Sequence, residues 1–348
     1  MNMKKVAAAA AFALGAGKIA LDAANRRRAV KLHGATAIVC GASRGLGRAI
    51  ALELARRGVA KIGICARHEH DLDSVASELV RMGVHVCAEA CDLSRAEEAE
   101  RFIGSACARL GPVDVLVTNA STIAVGPVEM WSKDDFDEAM ASIFYTTLNP
   151  ALAVLPEMTH RKKGTIAVVT SIGARIGVPH LAPYCAAKFA VMGLAESLRA
   201  ELAAEGVHIL SVVPGLMRTG SHVHAEFKGD QESEYAWFGM SATAPIISID
   251  ADRAARRIVS AIASGKTELS FTPEARVAPI VRTLMPNLWS EMMSMAARFL
   301  PRPPAAVPAD GAERREGVDI ERMSEARAVK VVHERGRKAA ERHGQLHH

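Results

Sequence analysis

The sequence predicts an α/β protein in which a doubly wound parallel sheet of about seven strands carries a helical C-terminal extension. Two observations predict this fold class. Residues 35–215 alternate short apolar runs with longer helix-patterned stretches, which is typical of βαβ units in a parallel sheet. Glycines precede most of the apolar runs, where a preceding helix usually ends. A glycine at the same point of each unit favours one continuous layered domain over two domains.

The individual elements follow from the same pattern. Strands are predicted at residues 35–39, 61–65, 85–89, 114–118, 165–170, 208–213 and 268–271. Helices are predicted at residues 46–57, 72–82, 97–110, 136–160 and 252–264. The last of these helices has acidic residues at its start and Gly265 just past its end, which are common helix-terminal signals.

The chain divides into four segments by composition. Residues 1–31 form an Ala-rich basic N-terminal segment, and residues 32–272 form the α/β domain. Within that domain, the polar stretch 216–246 is predicted to be a long irregular substrate loop. Residues 273–301 are predicted to be an amphipathic helical extension. Residues 302–348 are predicted to be a charged tail that is flexible or forms a lone helix.

The net charge of +5 is concentrated at the two ends of the chain. Residues 1–31 hold seven basic residues and one acidic residue, and the tail adds a small basic surplus, so residues 32–301 are mildly acidic. This excludes a basic nucleic-acid-binding body, and no nucleic-acid partner is expected. Three interpretations of the N-terminal segment stay open: a helix without a separate role, a peripheral anchor on an anionic membrane surface, and a cleaved signal peptide.

The six cysteines form no Cys-x-x-Cys pair and no zinc spacing, so no metal site is predicted. Several stand inside apolar runs, where a free cysteine behaves as a small hydrophobic residue. Reduced thiols indicate a cytoplasmic protein. Where the N-terminal segment acts as an anchor, the predicted location is peripheral, on the inner face of a membrane.

A glycine-rich turn stands between the first strand and the first helix. We expect Gly41 to make a tight turn, Gly45 to let the backbone approach a pyrophosphate, and Gly47 to let the helix pack close to the sheet. The N–H groups at the helix start then face the phosphates. Because this turn opens the first βαβ unit, it predicts a dinucleotide site.

The end of the second strand bears on which dinucleotide binds. An acidic residue there would bind the ribose hydroxyls of NAD and repel the 2′-phosphate of NADP. Residues 64–67 read Ile-Cys-Ala-Arg, with no acid. Arg67 and Arg44 can both reach this corner, and guanidinium groups suit phosphate. The sequence therefore favours NADP(H) over NAD(H).

Tyr184 and Lys188 lie four residues apart, hence on one face of a helix. A phenol with its pKa near 10 is a poor acid–base group at neutral pH, and a nearby cation lowers that pKa. We therefore expect Lys188 to lower the pKa of Tyr184. The phenol then gives a proton to a carbonyl oxygen as hydride arrives, or takes it back in the reverse direction.

These motifs resemble those of the short-chain dehydrogenase/reductase family, in its compact single-domain NAD(P)-dependent branch. The resemblance covers residues 32–271 and implies a Rossmann fold with hydride transfer between a nicotinamide cofactor and a carbonyl or secondary alcohol. By resemblance, Ser171 polarises the carbonyl, and Lys188 also binds the nicotinamide ribose. Members of the family form dimers or tetramers, so a homo-oligomer is expected.

The resemblance also implies a set of cofactor-binding residues drawn from the turns after successive strands. These residues are Gly41, Ser43, Arg44, Gly45, Leu46, Gly47, Arg67, Asp92, Leu93, Asn119, Ala120, Tyr184, Lys188, Pro214, Gly215 and Thr219.

One position departs from the family pattern. The catalytic Asn that supports a water chain to the lysine falls on Ile143, whose side chain cannot form hydrogen bonds. A backbone carbonyl, Asn149 or Thr146 can take over this role. The alternative is a catalytically weak or inactive cofactor-binding or regulatory protein.

The substrate side is predicted to be apolar. The stretch after Pro214 and the Met-rich stretch 284–299 supply apolar and aromatic side chains, among them Leu216, Met217, Phe227, Tyr235, Trp237 and Phe238. Such a lining suits a hydrophobic ketone or alcohol.

Overall fold

A computed structural model describes residues 20–243, 248–303 and 313–345. A first helix, α1, runs through residues 20–28. The strands that follow are β1 (Thr36–Cys40), β2 (Lys61–Ala66), β3 (His85–Ala90), β4 (Val115–Thr118), β5 (Ala124–Val125), β6 (Gly164–Val169), β7 (Val207–Val213), β8 (Leu216–Arg218), β9 (Glu226–Phe227), β10 (Ser248–Asp250), β11 (Glu268–Ser270) and β12 (Arg315–Glu316).

The helices surround these strands. They are α2 (Gly45–Arg56), α3 (His70–Arg81), α4 (Ala96–Leu110), α5 (Lys133–Ala139), α6 (Thr146–Arg161), α7 (Ala182–Leu202), α8 (Gln231–Thr243), α9 (Ala251–Ala263), α10 (Pro273–Leu284), α11 (Pro286–Ala297), α12 (Gly317–Met323) and α13 (Arg327–Arg342). A π-helical turn, Met140–Tyr145, joins α5 to α6.

Seven strands form one parallel sheet in the order β3-β2-β1-β4-β6-β7-β11. All residues of β1 and β7 are buried because helices cover both faces of the sheet. Helices α2, α3 and α9 pack on one face, and α4, α6 and α7 on the other. The predicted fold class is confirmed: this is a doubly wound Rossmann-like sheet followed by C-terminal helices.

The helical run Lys133–Arg161 is apolar and long enough to cross a bilayer by length and composition, and it is the one such helix among the described residues. Its buried side chains include Ile143, Val154 and Met158, which belong to the core beside α4 and α7. Its apolar composition therefore reflects packing against the sheet. Residues 1–19 lie outside the described residues, so membrane contact through residues 1–31 stays a prediction.

Residues 216–246 are more regular than the sequence analysis expected. Helix α8 occupies half of this stretch, with β8 and β9 before it, and residues 244–246 lie outside the described part of the chain. Tyr235 and Phe238 on α8 are buried. Because α8 is covered on several sides, its apolar residues follow no clear one-sided period, and the pattern that predicts a surface helix is missing.

The C-terminal tail is also ordered where the structure describes it. Helices α12 and α13 bury Ile320, Val329, Val332 and Ala340 against the rest of the molecule. The expectation of a flexible or lone segment was wrong for residues 313–345. Three of these apolar residues, Val329, Val332 and Ala340, lie on the otherwise charged α13, so the overall composition hid them.

The predicted extension over residues 273–301 is helical, as expected, and forms α10 and α11. It does not wall the substrate side: Leu284, Met292, Met295 and Phe299 are exposed. Glu274 is the one residue of this extension, which the structure describes in full, that lines the cavity discussed below. The Met-rich stretch is therefore a surface feature, which corrects the interpretation of its composition as a pocket wall.

Candidate active site

A cavity of about 780 Å³ lies at the carboxyl ends of the central strands. The chain order of the strands reverses there between β1 and β4, where doubly wound sheets bind ligands. All predicted site residues except Gly47 line it: Gly41, Ser43, Arg44, Gly45, Leu46, Arg67, Asp92, Leu93, Asn119, Ala120, Ser171, Tyr184, Lys188, Pro214, Gly215 and Thr219. The structure thus brings together groups spread over much of the sequence.

The glycine-rich turn has no room for side chains. Gly41 has a φ of +73°, and a Cβ atom on it would lie 2.8 Å from the Cα of Ala120. A Cβ on Gly47 would overlap the carbonyl oxygen of Gly41. Asn119 Nδ2 donates a hydrogen bond to that same oxygen at 3.1 Å. The turn is therefore held against the end of β4. Gly47 lets α2 pack close to the turn, because it has no side chain to overlap the backbone of Gly41.

Two arginines occupy the end of the cavity beside β2. Burial lowers the pKa of Arg44, the charge of Arg67 lowers it further, and the carboxylate of Asp71 raises it. The two guanidinium groups therefore repel each other, while the carboxylates of Asp71 and Glu316 offset part of the positive charge of this corner. Asp71 also lines the cavity, and the sequence analysis missed it because it lies beyond the strand end, in the first turn of α3.

The turn after β3 is fixed by its own polar groups. Asp92 Oδ1 accepts hydrogen bonds from the backbone N–H of Ser94 at 3.0 Å and from its hydroxyl at 2.7 Å. Asn149 Nδ2 donates to the carbonyl oxygens of Leu93 and Ser94 at 2.9 and 3.0 Å. The side chain of Asn149 therefore supports this turn. It does not take over the role of the missing Asn toward Lys188, which lies at the other end of the cavity.

Ser171, Tyr184 and Lys188 meet at the other end of the cavity. Ser171 follows β6, and its hydroxyl accepts a hydrogen bond from the N–H of Gly173 at 3.1 Å. Tyr184 and Lys188 stand one turn apart on α7, and the Lys188 Nζ lies 5.7 Å from the centre of the Tyr184 ring. That Nζ donates to the carbonyl oxygen of Val169 at 3.3 Å.

Burial controls the ionisation of this pair. Burial raises the pKa of Tyr184 to about 12, while a hydrogen bond with Ser171 acts in the opposite direction. Burial lowers the pKa of Lys188 to about 8. The expected lowering of the Tyr184 pKa was wrong, because desolvation of the phenolate outweighs its stabilisation. The phenol keeps its proton at neutral pH.

Comparison with known proteins decides the family. The sequence profile described as short chain dehydrogenase matches residues 35–228, more than half of the chain. The chain belongs to the short-chain dehydrogenase/reductase family. Dehydrogenase/reductase SDR family member 4 of Bos taurus is 34% identical over 214 residues, which cover 60% of this chain and 75% of the bovine protein.

Two further similar proteins bear on the cofactor. The NADPH-dependent pterin aldehyde reductase of Arabidopsis thaliana is 36% identical over 186 residues, covering 53% of this chain and 75% of the plant protein. A short chain dehydrogenase of Burkholderia cenocepacia, solved in complex with NADP, superposes with a TM-score of 0.62 at 25% identity. That superposition covers 76% of this chain and 99% of the other. These likenesses place the chain among the oxidoreductases of the family.

Ile143, at the position where the resemblance implies a catalytic Asn, lies on the π-helical turn. Its side chain is 1% exposed and packs in the core. Its carbonyl oxygen lies 3.2 Å from the hydroxyls of both Thr146 and Thr147. Thr146 also lines the cavity, with its hydroxyl 3.1 Å from the carbonyl oxygen of Ala120. Of the substitutes that the sequence suggested, Thr146 is thus the one beside the cavity.

The part of the cavity that the sequence predicts to be the substrate side is largely apolar in this short-chain dehydrogenase/reductase. The lining there includes Ile176, Val178, Leu181, Leu216, Met217, Trp237 and Phe238. Trp237 is fixed in place because its Nε1 donates to Glu234 Oε2 at 2.6 Å. The other Glu234 oxygen lies 2.7 Å from His180 Nδ1. Phe227 and Tyr235 are buried behind this wall.

The C-terminal part of the chain supplies two lining residues that the sequence analysis did not find. Glu316, next to α12, and Gln345, just after α13, both face the cavity. No motif marks either residue. Their position depends on how the tail folds back over the sheet edge, which local sequence does not encode.

Proposed function

We propose that this protein is an NADP(H)-dependent oxidoreductase that moves hydride between a nicotinamide and the carbonyl or secondary alcohol of a hydrophobic substrate. One observation carries the proposal. A single cavity joins a glycine-rich turn at a helix start to the partly buried Ser171 and the buried Tyr184 and Lys188. The first end suits a pyrophosphate, and the second suits proton transfer to an oxygen.

The residues of the cavity fit a dinucleotide. The turn around Gly41 and Gly45 brings bare backbone to the surface of the cavity, and the first N–H groups of α2 have no partners within the helix. Asp92 and Asn119 line the stretch between the two ends. When bound, the nicotinamide supplies or accepts the hydride.

Tyr184 holds the proton in this proposal. Its hydroxyl is protonated at neutral pH because its pKa lies near 12, so it is poised to donate to the oxygen of a carbonyl substrate. Lys188 is charged below its pKa of about 8, and this charge stabilises the phenolate left behind. Ser171 donates a second hydrogen bond to the same substrate oxygen.

Preference for NADP(H) is supported by the arginine corner. Arg44 and Arg67 repel each other, so a phosphate between them relieves repulsion and gains two charge-assisted contacts. The plant relative is named NADPH-dependent, and the Burkholderia structure holds NADP. Asp71 acts against this preference, since a carboxylate there favours the ribose hydroxyls of NAD over the 2′-phosphate of NADP.

The test is a cofactor and substrate screen. The purified protein is given NADPH or NADH with a panel of ketones graded from small and polar to large and apolar, and cofactor absorbance reports turnover. We expect turnover with NADPH and the larger apolar ketones, because Trp237 and Phe238 wall the substrate side. Turnover restricted to small polar carbonyls would contradict the substrate class, and faster turnover with NADH would contradict the cofactor preference.

A second candidate function rests on Ile143. Because a buried apolar side chain stands at the position where the family resemblance implies a catalytic Asn, the protein is alternatively a cofactor-binding regulator with little catalysis. Tight NADPH binding without turnover of any ketone in the panel would favour this candidate. Turnover that is lost in Tyr184→Phe would exclude it.

The assembly of the protein is proposed by family resemblance, and its cytoplasmic location from its free cysteines. We expect a cytoplasmic homodimer or homotetramer with a small-molecule substrate. Light scattering of the purified full chain measures the assembly, and a monomer at micromolar concentration would contradict it. Fractionation of cells with and without residues 1–31 tests peripheral membrane contact, which predicts release into the soluble fraction on deletion.

A further inference from the structure

We infer that residues 327–345, here called the C-terminal strap, form the roof of the cofactor groove and that Gln345 binds the pyrophosphate of the cofactor. This inference rests on the proposed cofactor binding and extends it to a segment outside the residues matched by the family profile, which end at 228. The strap consists of α13 and the three residues that follow it.

The strap is bonded directly to the phosphate-binding turn. The backbone N–H of Gly45, the first residue of α2, donates to the carbonyl oxygen of His343 at 2.8 Å. Arg48 Nη1 donates to the carbonyl oxygen of Arg342 at 3.5 Å. His224 Nε2 lies 2.9 Å from the carbonyl oxygen of Gln345. The end of the strap therefore crosses the groove at the start of α2.

The side chain of Gln345 points at the place where a pyrophosphate approaches the turn. Its Nε2 would lie 2.7 Å from a Cβ atom on Gly45, and Thr219 lies on the same side at 3.9 Å. Gln345 is only 4% exposed, and its Oε1 has no hydrogen-bond partner within the described residues. The donor of this amide is Nε2, which lies on the bare face of Gly45 and is therefore the atom of Gln345 that can bind an anionic oxygen there.

Close packing explains why the strap takes this path. Val332 fits against Gly239 of α8, where a side chain on the glycine would overlap it. Ala340 fits against Gly220 in the same way. Arg342 adds an ion pair with Asp250 at 3.7 Å. These contacts seat α13 so that its C-terminal end, and no other part, reaches the turn.

The strap covers the groove and does not fill it. The cavity of about 780 Å³ extends past Gln345 in both directions, to Arg67 at one end and to Tyr184 at the other. A cofactor spanning these ends reaches the glycine turn once the carbonyl oxygen of His343 has released the N–H of Gly45, and it then lies between the turn and the strap. Its release then requires the bonds from Arg48 and His224 to the strap to break, so we expect the strap to slow dissociation.

Cofactor affinity tests this inference. NADPH binding is measured by the fluorescence of the reduced nicotinamide, at equilibrium and in stopped flow, for the full chain and for Gln345→Ala, Gln345→Glu and Lys338→Ala. Lys338 is exposed on the same helix and serves as the matched control. We expect about tenfold weaker binding in Gln345→Ala, mostly through faster dissociation, and a larger loss in Gln345→Glu because its carboxylate repels the pyrophosphate.

Hydrogen exchange gives a second readout that is independent of turnover. We expect NADPH to slow exchange at the backbone amides of residues 340–345, since the ligand clamps the strap onto the turn. Equal affinity in all four proteins would overturn the inference while leaving the proposed function intact. Tighter binding in the Gln345 variants, or faster exchange with NADPH, would show a strap that obstructs the groove. Absence of NADPH and NADH binding by the unaltered chain would overturn both proposals.

Discussion

Two walls of the cavity are built in different ways. The wall formed by the ends of β1, β4 and β6 stands on strands whose residues are almost all buried on both faces. The opposite wall consists of α8, Glu316 and the strap, and the strap is held by one apolar face of α13 together with a few hydrogen bonds. Groups that must hold a fixed geometry lie on the first wall. The second wall has less buried area to lose when it opens.

An ion cluster at Asp135 connects the two walls. Asp135 lies on α5, and Lys228 Nζ donates to its Oδ2 at 2.7 Å. Arg314, at the start of the C-terminal wall, donates to the other oxygen. Both carboxylate and ammonium are almost fully buried. The cluster therefore ties the less buried wall to the helix layer over the sheet.

The largest effect is expected from a variant that removes proton transfer at the first wall, here called the sheet wall, and leaves cofactor binding unchanged. Tyr184→Phe removes the acid–base hydroxyl and leaves the ring in its buried place. We expect the turnover number for ketone reduction to fall by about 10³-fold, because proton transfer to the carbonyl oxygen is lost. Steady-state kinetics with saturating NADPH measures this.

Tyr145→Phe is the matched control, since that phenol is 43% exposed on the π-helical turn. It should keep normal turnover. Weakened NADPH binding in Tyr184→Phe, with the turnover number unchanged, would assign Tyr184 to cofactor binding instead of proton transfer.

The second largest effect is expected on stability, when Asp135, which links the two walls, is substituted. Burial raises the pKa of Asp135, but the hydrogen bonds from Lys228, Ser132 and Arg314 together lower it to about 2. Asp135→Asn leaves Lys228 buried without its partner, so we expect the free energy of unfolding to fall by about 3 kcal/mol. Denaturant titration of the full chain measures it.

The exposed Asp137→Asn is the control and should change stability little. Since the folded pKa of Asp135 is depressed, its stabilisation is complete above about pH 4 and disappears as the pH falls through about 2. An Asp135→Asn protein that loses stability with acid as steeply as the unaltered chain over this range would contradict the assignment.

The two walls also differ in how far the sequence predicts them. The glycine turn and the Tyr184–Lys188 pair were predicted because their function depends on local spacing, and the structure places these residues along one cavity. Gln345 was missed because tertiary folding alone brings it there, and Asp71 because it lies beyond the strand end, in the first turn of α3. The direction of the Tyr184 pKa was also missed: sequence spacing gives the distance of a charge but not the burial that outweighs it.

The third largest effect is the pH dependence of the reduction rate, which we expect to follow the charge of Lys188 on the sheet wall. The pKa of Lys188 is lowered to about 8, so the ammonium loses its charge as the pH rises through that value. We expect the reduction rate to fall by about tenfold between pH 7 and pH 9, since the charge that stabilises the phenolate disappears.

Lys188→Arg is the comparison variant, because a guanidinium stays charged over this range. Its overall rate should be lower, but the decline above pH 8 should flatten. An unchanged decline in that variant would mean that another group controls the alkaline limb.

The smallest expected effect lies at the open end of the groove, where Arg67 is exposed and Arg44 is partly buried. Solvent screens Arg67, so we expect Arg67→Ala to reduce the ratio of NADPH to NADH affinity by only about fivefold, and less at high salt. Arg81→Ala, exposed at the end of α3, should leave the ratio unchanged. A ratio that is unchanged in Arg67→Ala but collapses in Arg44→Ala would move phosphate recognition to the glycine turn. Recognition of the phosphate would then lie entirely on the wall that also carries the proton transfer, with none of it at the exposed corner.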